Sequence, residues 1–428
     1  MGPLPPLVRP RRASLSQARD RAIIGEMAVA SMVRAYFDNN ANTPVLPEIL
    51  EDMLPALQGA VGNASSIHQL GQAAKAAVEQ ARAAVAELIG ASPTEVVFTS
   101  GGTESDNLAI RGVVGEWRRR NASAPLPHLI TSKIEHHAVL NVFEDLERAG
   151  YPVTYLPVND GGRVGPAELA AALRPDTALI SVMMANNETG VVQPVEELGA
   201  IARAAKVAFH VDAVQAVGRT PVRVKEIGSD LLSLSGHKIH ASMGIGALYV
   251  GRRTQLRAQQ LGGHHERDRR AGTENVPGIM SLGAAAKLAQ ANGAAEAARL
   301  AELRDRMEAG LVAAIPDCGV VGAGQPRVAN TSNMYFDGIE GEALVIALDL
   351  HGFCVSTGAA CSSGAIEPSH VLLAMGMSRR RARSCLRFSL GRQNTADEVE
   401  RLLQTLPGLV ERLRRLAPAD ASALVRSA

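Results

Sequence analysis

The chain has 428 residues, 46% apolar and 20% charged, which is the balance of a soluble globular protein long enough for two domains that each bury a core. Lys plus Arg (44) nearly cancels Asp plus Glu (43), so no global field recruits nucleic acid or an anionic membrane, and a small-molecule partner is favoured. No apolar stretch reaches the roughly 20 residues of a membrane-spanning helix, and four cysteines without a CxxC pair (Cys318, Cys354, Cys361, Cys385) point to a reducing cytoplasm.

Residues 1–34 are rich in Pro and Arg and carry no acidic residue before Asp20. They read as a disordered extension, as a mis-assigned start whose true first residue is Met27 or Met32, or as an Arg-rich organelle address. From Tyr36 onward, short β-branched runs alternate with amphipathic segments. Strands are expected at 95–100, 128–132, 178–184, 207–212, 230–235 and 246–250. Between them "TESDNLAIRGVVGEWRRR" and "HAVLNVFEDLERAG" have helical patterns, the second stopped by Gly150. Such alternation predicts a doubly wound α/β domain with a mostly parallel sheet covered on both faces.

After about Gly283 the alternation fades into one long Ala-, Leu-, Arg- and Glu-rich helix that links two domains. Beyond it "RVANTSNMYF", the helix "GEALVIALDLHG" and a last helix opened by the capping box Thr395-x-x-Glu398 suit a smaller α+β domain.

In open α/β sheets, ligands sit beyond the carboxyl ends of the strands. The residues there are Gly101, Gly102 and Thr103; His136; Asn186, Asn187 and Glu188; Asp212 and Gln215; and Ser235, His237 and Lys238. "SGGTES" places bare backbone N–H groups and a hydroxyl where a helix starts, as a phosphate requires, although a Gly-Gly pair is more often only a tight turn. A lysine desolvated beside such a site loses basicity and becomes a nucleophile toward an aldehyde, which is Schiff-base chemistry. Asp212 offers the partner that a protonated pyridine nitrogen needs. Together these groups specify pyridoxal 5'-phosphate. Each has a plainer explanation: Lys238 as a solvated loop lysine, Asp212 and His136 as helix caps.

The chain resembles the cysteine desulfurases, pyridoxal-phosphate enzymes of the class V aminotransferase type, through "YFDNNANTP", "NASSIHQLG", "FTSGGTESDNLAI", "IEHHAV", "MMANNETG", "FHVDAVQAVG", "SLSGHKIH", "AGTENV", "STGAACSSG" and "LRFSLGR" in order. The resemblance implies the aspartate aminotransferase-like fold type I with a mixed, mostly parallel seven-stranded sheet. It also implies a large cofactor-binding domain over 48–290 and a small one made of 35–47 with 291–428.

By the same resemblance Lys238 holds the cofactor and shuttles protons, Asp212 pairs with the pyridine nitrogen, and Gln215 bonds the ring hydroxyl. His136 stacks on the ring and assists proton transfer. Gly102, Thr103, Ser235, Gly236 and His237 grip the phosphate, with Thr273 of a partner subunit in a homodimer. Asn187 and Arg387 orient L-cysteine. Cys361, in a small-residue stretch, takes the sulfur as a persulfide, whereas Cys318, Cys354 and Cys385 are expected to be buried and inert. A sulfur acceptor or iron–sulfur scaffold protein follows, with Cys361 as a possible ligand of a transient [2Fe-2S] cluster. The alternatives are a selenocysteine lyase or a class V aminotransferase that needs no thiol, and a catalytically idle homologue that serves as a binding partner. Two departures flank the pocket: Ala241-Ser242-Met243 where Gly-Pro-Lys is common, and His264-His265, for which a metal reading is weak because adjacent residues of an extended segment point apart.

Overall fold

The computed structural model describes residues 34–59, 61–358 and 367–416. The expectations for the leader and for Cys361 fall outside these residues.

Twelve strands lie among the described residues: β1 Ala35–Tyr36, β2 Val96–Thr99, β3 His128–Ser132, β4 Val153–Leu156, β5 Thr177–Met183, β6 Ala208–Asp212, β7 Leu231–Ser235, β8 Gly246–Val250, β9 Cys318–Val320, β10 Thr331–Phe336, β11 Phe353–Cys354 and β12 Cys385–Ser389. Seven of them form one sheet in the order β2-β8-β7-β6-β5-β3-β4. Only β8 runs against its neighbours β2 and β7; the others are parallel, as βαβ crossovers dictate. The central strands β5 and β7 are buried along their whole length, which explains their near-continuous apolar runs. The six expected strands are all found, within a residue at each end.

β4 was not expected. It is a half-exposed edge strand of four residues set between Pro152 and Pro157, so it lacks the buried apolar run that reveals the other strands of the sheet.

The helix Gly102–Arg120 follows β2, and the helix His137–Arg148 follows β3. Gly150, at φ 92°, terminates the second of these in a left-handed turn. The long helix spans Val276–Ala314 and begins earlier than its composition suggests, because the Asn275 side chain accepts from Gly278 N and Pro277 suits a first turn. The last helix, Ala396–Leu416, opens on the capping box: Glu398 N donates to Thr395 Oγ1 at 3.3 Å, and Thr395 N donates to Glu398 Oε2 at 3.1 Å.

Apolar side chains gather in separate clusters. Two flank the seven-stranded sheet, one on Phe209, Val211, Leu232 and Leu234, the other on Leu129, Phe143, Leu179 and Leu231. Alternate residues of one strand thus supply opposite faces. A third cluster joins Phe37, Met307, Phe336, Phe353, Phe388 and Leu406, where β10 lies between β9 and β12.

Candidate active site

Five strands end at the same rim. Because β2, β3, β5, β6 and β7 point one way, the residues that follow them converge on a cleft of about 650 Å³. Gly102, Thr103, His136, Asn187, Asp212, Gln215, Ser235, His237, Lys238 and Arg387 all line it.

At one end, the turn after β2 puts Gly101 at φ 155° and ψ −175°, a conformation essentially confined to glycine. It leads into the 19-residue helix Gly102–Arg120, whose N-terminal amides face the cleft's Gly102–Thr103 wall. Ser235 closes this end from β7, and its buried Oγ has no hydrogen-bond partner among the described residues. Gly236 is buried and does not line the cleft. A Cβ there would lie 2.8 Å from Ile245 Cγ2 and 3.0 Å from Ala241 Cβ, so this glycine permits close packing of the turn.

Asp212 terminates β6 and lines the same cleft. Its Oδ1 accepts from Val214 N at 2.9 Å, and burial raises its pKa while the charge of Lys238 opposes the rise. Lys238 lies in the short helical turn after β7, and its Nζ donates to Asn40 O at 2.6 Å and Ala41 O at 2.8 Å. Desolvation, followed by the charges of Arg219 and Arg387, lowers its pKa to about 7. The amine is therefore poised to be uncharged near neutrality.

His136 caps a helix and also lines the cleft. Its Nδ1 accepts from Ala138 N at 3.1 Å as a helix cap, while its ring lines the cleft, with a pKa lowered to about 4 mainly by burial and next by Lys238. His237 pairs Nδ1 with Asn42 Oδ1 at 3.1 Å and is likewise lowered to about 4 by desolvation. Arg387 reaches in from β12. Its Nη1 donates to Asn187 O at 3.0 Å and its Nη2 to Asp38 Oδ1 at 2.7 Å, leaving a buried Nε without a partner among the described residues.

Pyridoxal phosphate fits this donor set. An orphaned hydroxyl, a side-chain-free turn and a helix N-terminus suit a phosphate, and a buried carboxylate in the same cleft suits a pyridine nitrogen.

Thr273 is exposed and does not line the cleft of its own chain. Cys361 lies outside the described residues, but Gly358 and Glu367, which precede and follow its segment, both line the cleft. Cys385 is buried and its thiol is pushed well above the usual range by desolvation; Cys318 and Cys354 are half-buried, so the expectation of full burial is corrected for those two. They sit on short strands with open edges. His264 Nδ1 meets Asp268 Oδ1 at 2.6 Å and His265 Nδ1 accepts from Gly272 N, and no His, Cys, Asp and Glu group among the described residues could hold a metal.

Several cleft residues escaped the sequence reading. Asn40 lines the cleft and ties Lys238, Gln215 and Asn187 together through 2.6–3.1 Å bonds. Asp106 and His370 also line it. The signal available was the Asp-Asn-Asn run in "YFDNNANTP", too polar for the strand it adjoins.

Comparison with known proteins agrees with this geometry. The profile of the aminotransferase class-V family matches residues 35–402. The chain is 49% identical over 383 residues to "Cysteine desulfurase 2" of Trichormus variabilis, covering 90% of this chain and 94% of that one. It is 46% identical over 394 residues to "Cysteine desulfurase IscS" of Methanosarcina thermophila, covering 92% and 96%. Among solved structures, a NifS-like protein aligns with a TM-score of 0.82 at 35% identity, over 89% of this chain and 100% of that one. The structure titled "SspA in complex with cysteine" aligns at 0.72 and 34% identity, over 83% and 98%. With the strand-end cleft, the orphaned Ser235 hydroxyl and the profile match all in one stretch of sequence, the chain belongs to the aminotransferase class-V family, on its cysteine desulfurase branch.

Proposed function

We propose that this chain is a pyridoxal-phosphate-dependent cysteine desulfurase that converts L-cysteine to L-alanine and leaves the sulfur as a persulfide on Cys361. The observation that carries this reading is the shared cleft of Lys238, Asp212 and the orphaned Ser235 hydroxyl. Relatives named cysteine desulfurase at 46–49% identity, and a related structure with cysteine bound, support the substrate.

When bound, pyridoxal phosphate supplies the carbonyl that captures the substrate amine and the ring that accepts electrons from the bonds at Cα. Lys238 would hold it, with Gly102, Thr103, Ser235 and His237 around its phosphate, Asp212 at its ring nitrogen and Gln215 at its ring oxygen, while Gly236 lets the turn that carries His237 and Lys238 pack closely. His136 covers a face of the ring and assists proton transfer; as a neutral imidazole it can accept a proton. Lys238, uncharged after the substrate takes its place, removes and returns the proton at Cα. Arg387 grips the α-carboxylate, aided by Asn187, and Asp38 fixes the guanidinium plane for that contact. The Cys361 thiolate attacks the substrate sulfur. An S–S bond forms, the Cβ–S bond breaks, and its electron pair with a proton completes the methyl group of alanine.

The same reading makes the protein a homodimer in which Thr273 serves the partner's phosphate site, supported by its exposure outside its own cleft. It divides the chain into 48–290 and 35–47 with 291–428, supported by the separate apolar clusters. It passes the persulfide to a sulfur acceptor or an iron–sulfur scaffold protein in the cytoplasm, with Cys361 the candidate ligand of a transient [2Fe-2S] cluster in the second case.

Three measurements test the reading. Cys361→Ala should abolish alanine formation from L-cysteine; unchanged turnover favours a thiol-independent class V reaction instead. Purified protein should be yellow, and borohydride reduction followed by mass spectrometry should find the pyridoxyl group on Lys238. A pyridoxyl group elsewhere overturns the assignment.

A further inference from the structure

We infer that Arg219 is a positioning residue: its guanidinium locks the Gln215 amide with the oxygen turned from the cleft, so that Gln215 presents only N–H donors to the ring oxygen of bound pyridoxal phosphate. The inference rests on the cofactor assignment proposed above.

A glutamine amide carries an acceptor on one side and two donors on the other, and left alone it can flip. Gln215 is buried and lines the cleft. Its Oε1 accepts from Arg219 Nη1, and its Nε2 donates to Asn40 O at 3.0 Å. A guanidinium has five N–H donors and no acceptor, so only the oxygen of the amide can face it. Arg219 is anchored in turn, since its Nη2 donates to Asn39 O at 3.2 Å. One N–H of Gln215 is used on Asn40 O, and the second remains for the cleft.

The placement of Arg219 is costly. Its recorded hydrogen-bond acceptors are neutral oxygens of Gln215 and Asn39, and desolvation, with the charge of Arg387 adding, lowers its pKa. A cation whose hydrogen bonds go to the Gln215 amide and to backbone carbonyls is explained by what it does to the amide. It also bears on Lys238, which shares the Asn40 O acceptor with Gln215.

The charged groups facing Lys238 are Arg219, Arg387, Asp38 and Asp212, with His136 and His237 neutral beside it. On the far side of Arg219 a second, smaller cavity brings Glu296, Arg392 and His240 to the same wall. Both consequences of Arg219 have one sign. A nearby cation disfavours a protonated Lys238–cofactor linkage, and an N–H on the ring oxygen withdraws the negative charge that would stabilise it.

The test is a pH titration of the yellow absorbance of the purified holoprotein, a ground-state signature that needs no turnover. Arg219→Met should raise its midpoint by about one unit, and Arg219→Lys should restore at least roughly half of that shift. In a Gln215→Leu background, the Arg219→Met shift should fall to about half or less, because the residue acts through the amide. If Arg219→Met does not fold, Arg219→Gln carries the same expectation. An unmoved midpoint, or a shift undiminished in the Gln215→Leu background, overturns the inference. A colourless parent protein overturns the cofactor assignment itself, and the inference with it.

Discussion

Glu135 shows how a single buried group ties this site to pH. It follows β3, is fully buried, and accepts from Ser132 Oγ at 2.5 Å and Met183 N at 3.0 Å through Oε1, while Oε2 has no partner among the described residues. Burial pushes its pKa up to about 8, with the charge of Asp212 adding to the rise after the two hydrogen bonds oppose it. The folded chain therefore holds a proton on Glu135 that the unfolded chain has already released above its ordinary carboxylate range. Its contribution to stability is complete below a pH of about 4.3 and is lost as pH rises through about 8. Glu135→Gln keeps the Oε1 acceptor and removes the titration. Its urea midpoint should lose less than the parent's between about pH 5 and pH 9. Equal losses in the two proteins would show that Glu135 is ionised in the folded state.

At the scale of elements, the segment before Thr273 is held against its own backbone preference. Glu266, Arg267 and Asp268 take φ values of 46°, 57° and 62° in succession, and none is a glycine. Left-handed geometry costs such residues roughly 1–2 kcal/mol each, so something must fasten the turn. Arg82, from the helix Gln69–Ile89, grips Glu266 with two bonds of 2.7 and 2.8 Å, and Phe98 N of β2 adds a third at 3.0 Å. Both partners are buried, and Arg82 keeps Glu79 at 3.0 Å, so Glu266→Gln removes one of its two carboxylate partners and leaves a buried N–H without its acceptor, which should cost about 1–3 kcal/mol. Denaturant unfolding should report that loss; a change under about 1 kcal/mol would mean that the turn is held elsewhere. The "ERDRR" string announces none of this, because Arg82 lies 184 residues away in sequence. The strand ends were legible for the opposite reason. Short, largely apolar runs stopped by Gly101, Asn186 or Gly236 encode strand and turn locally, and parallel order then gathers the rim. Asn40 and Asp38 were illegible because their partners are set by packing between distant segments, as with Asp38 and Arg387, 349 residues apart. β4 was missed because an edge strand needs no continuous apolar run.

For the whole molecule, the decisive question is whether one chain completes its own site. Lys238 lines the cleft and Thr273 of the same chain does not. If Thr273 serves the opposite phosphate site, two defective chains can repair each other. A dimer of Lys238→Ala chains has no amine to hold the cofactor, and a dimer of Thr273→Ala chains has weakened phosphate sites. After subunit exchange, a mixed dimer has one site with neither group and one with both, because the intact Lys238 of one chain meets the intact Thr273 of its partner. Mixing the two variants should therefore restore alanine formation well above the sum of the separate proteins, approaching about one quarter of the parent rate when exchange is random and the parent rate counts two sites per dimer. Were Thr273 to act within its own chain, the mixed dimer would pair a site lacking the amine with a site lacking the hydroxyl, and mixing would add nothing. The exchange must be followed independently, by differently tagged chains recovered together, so that an unchanged rate in mixed dimers counts against the shared site.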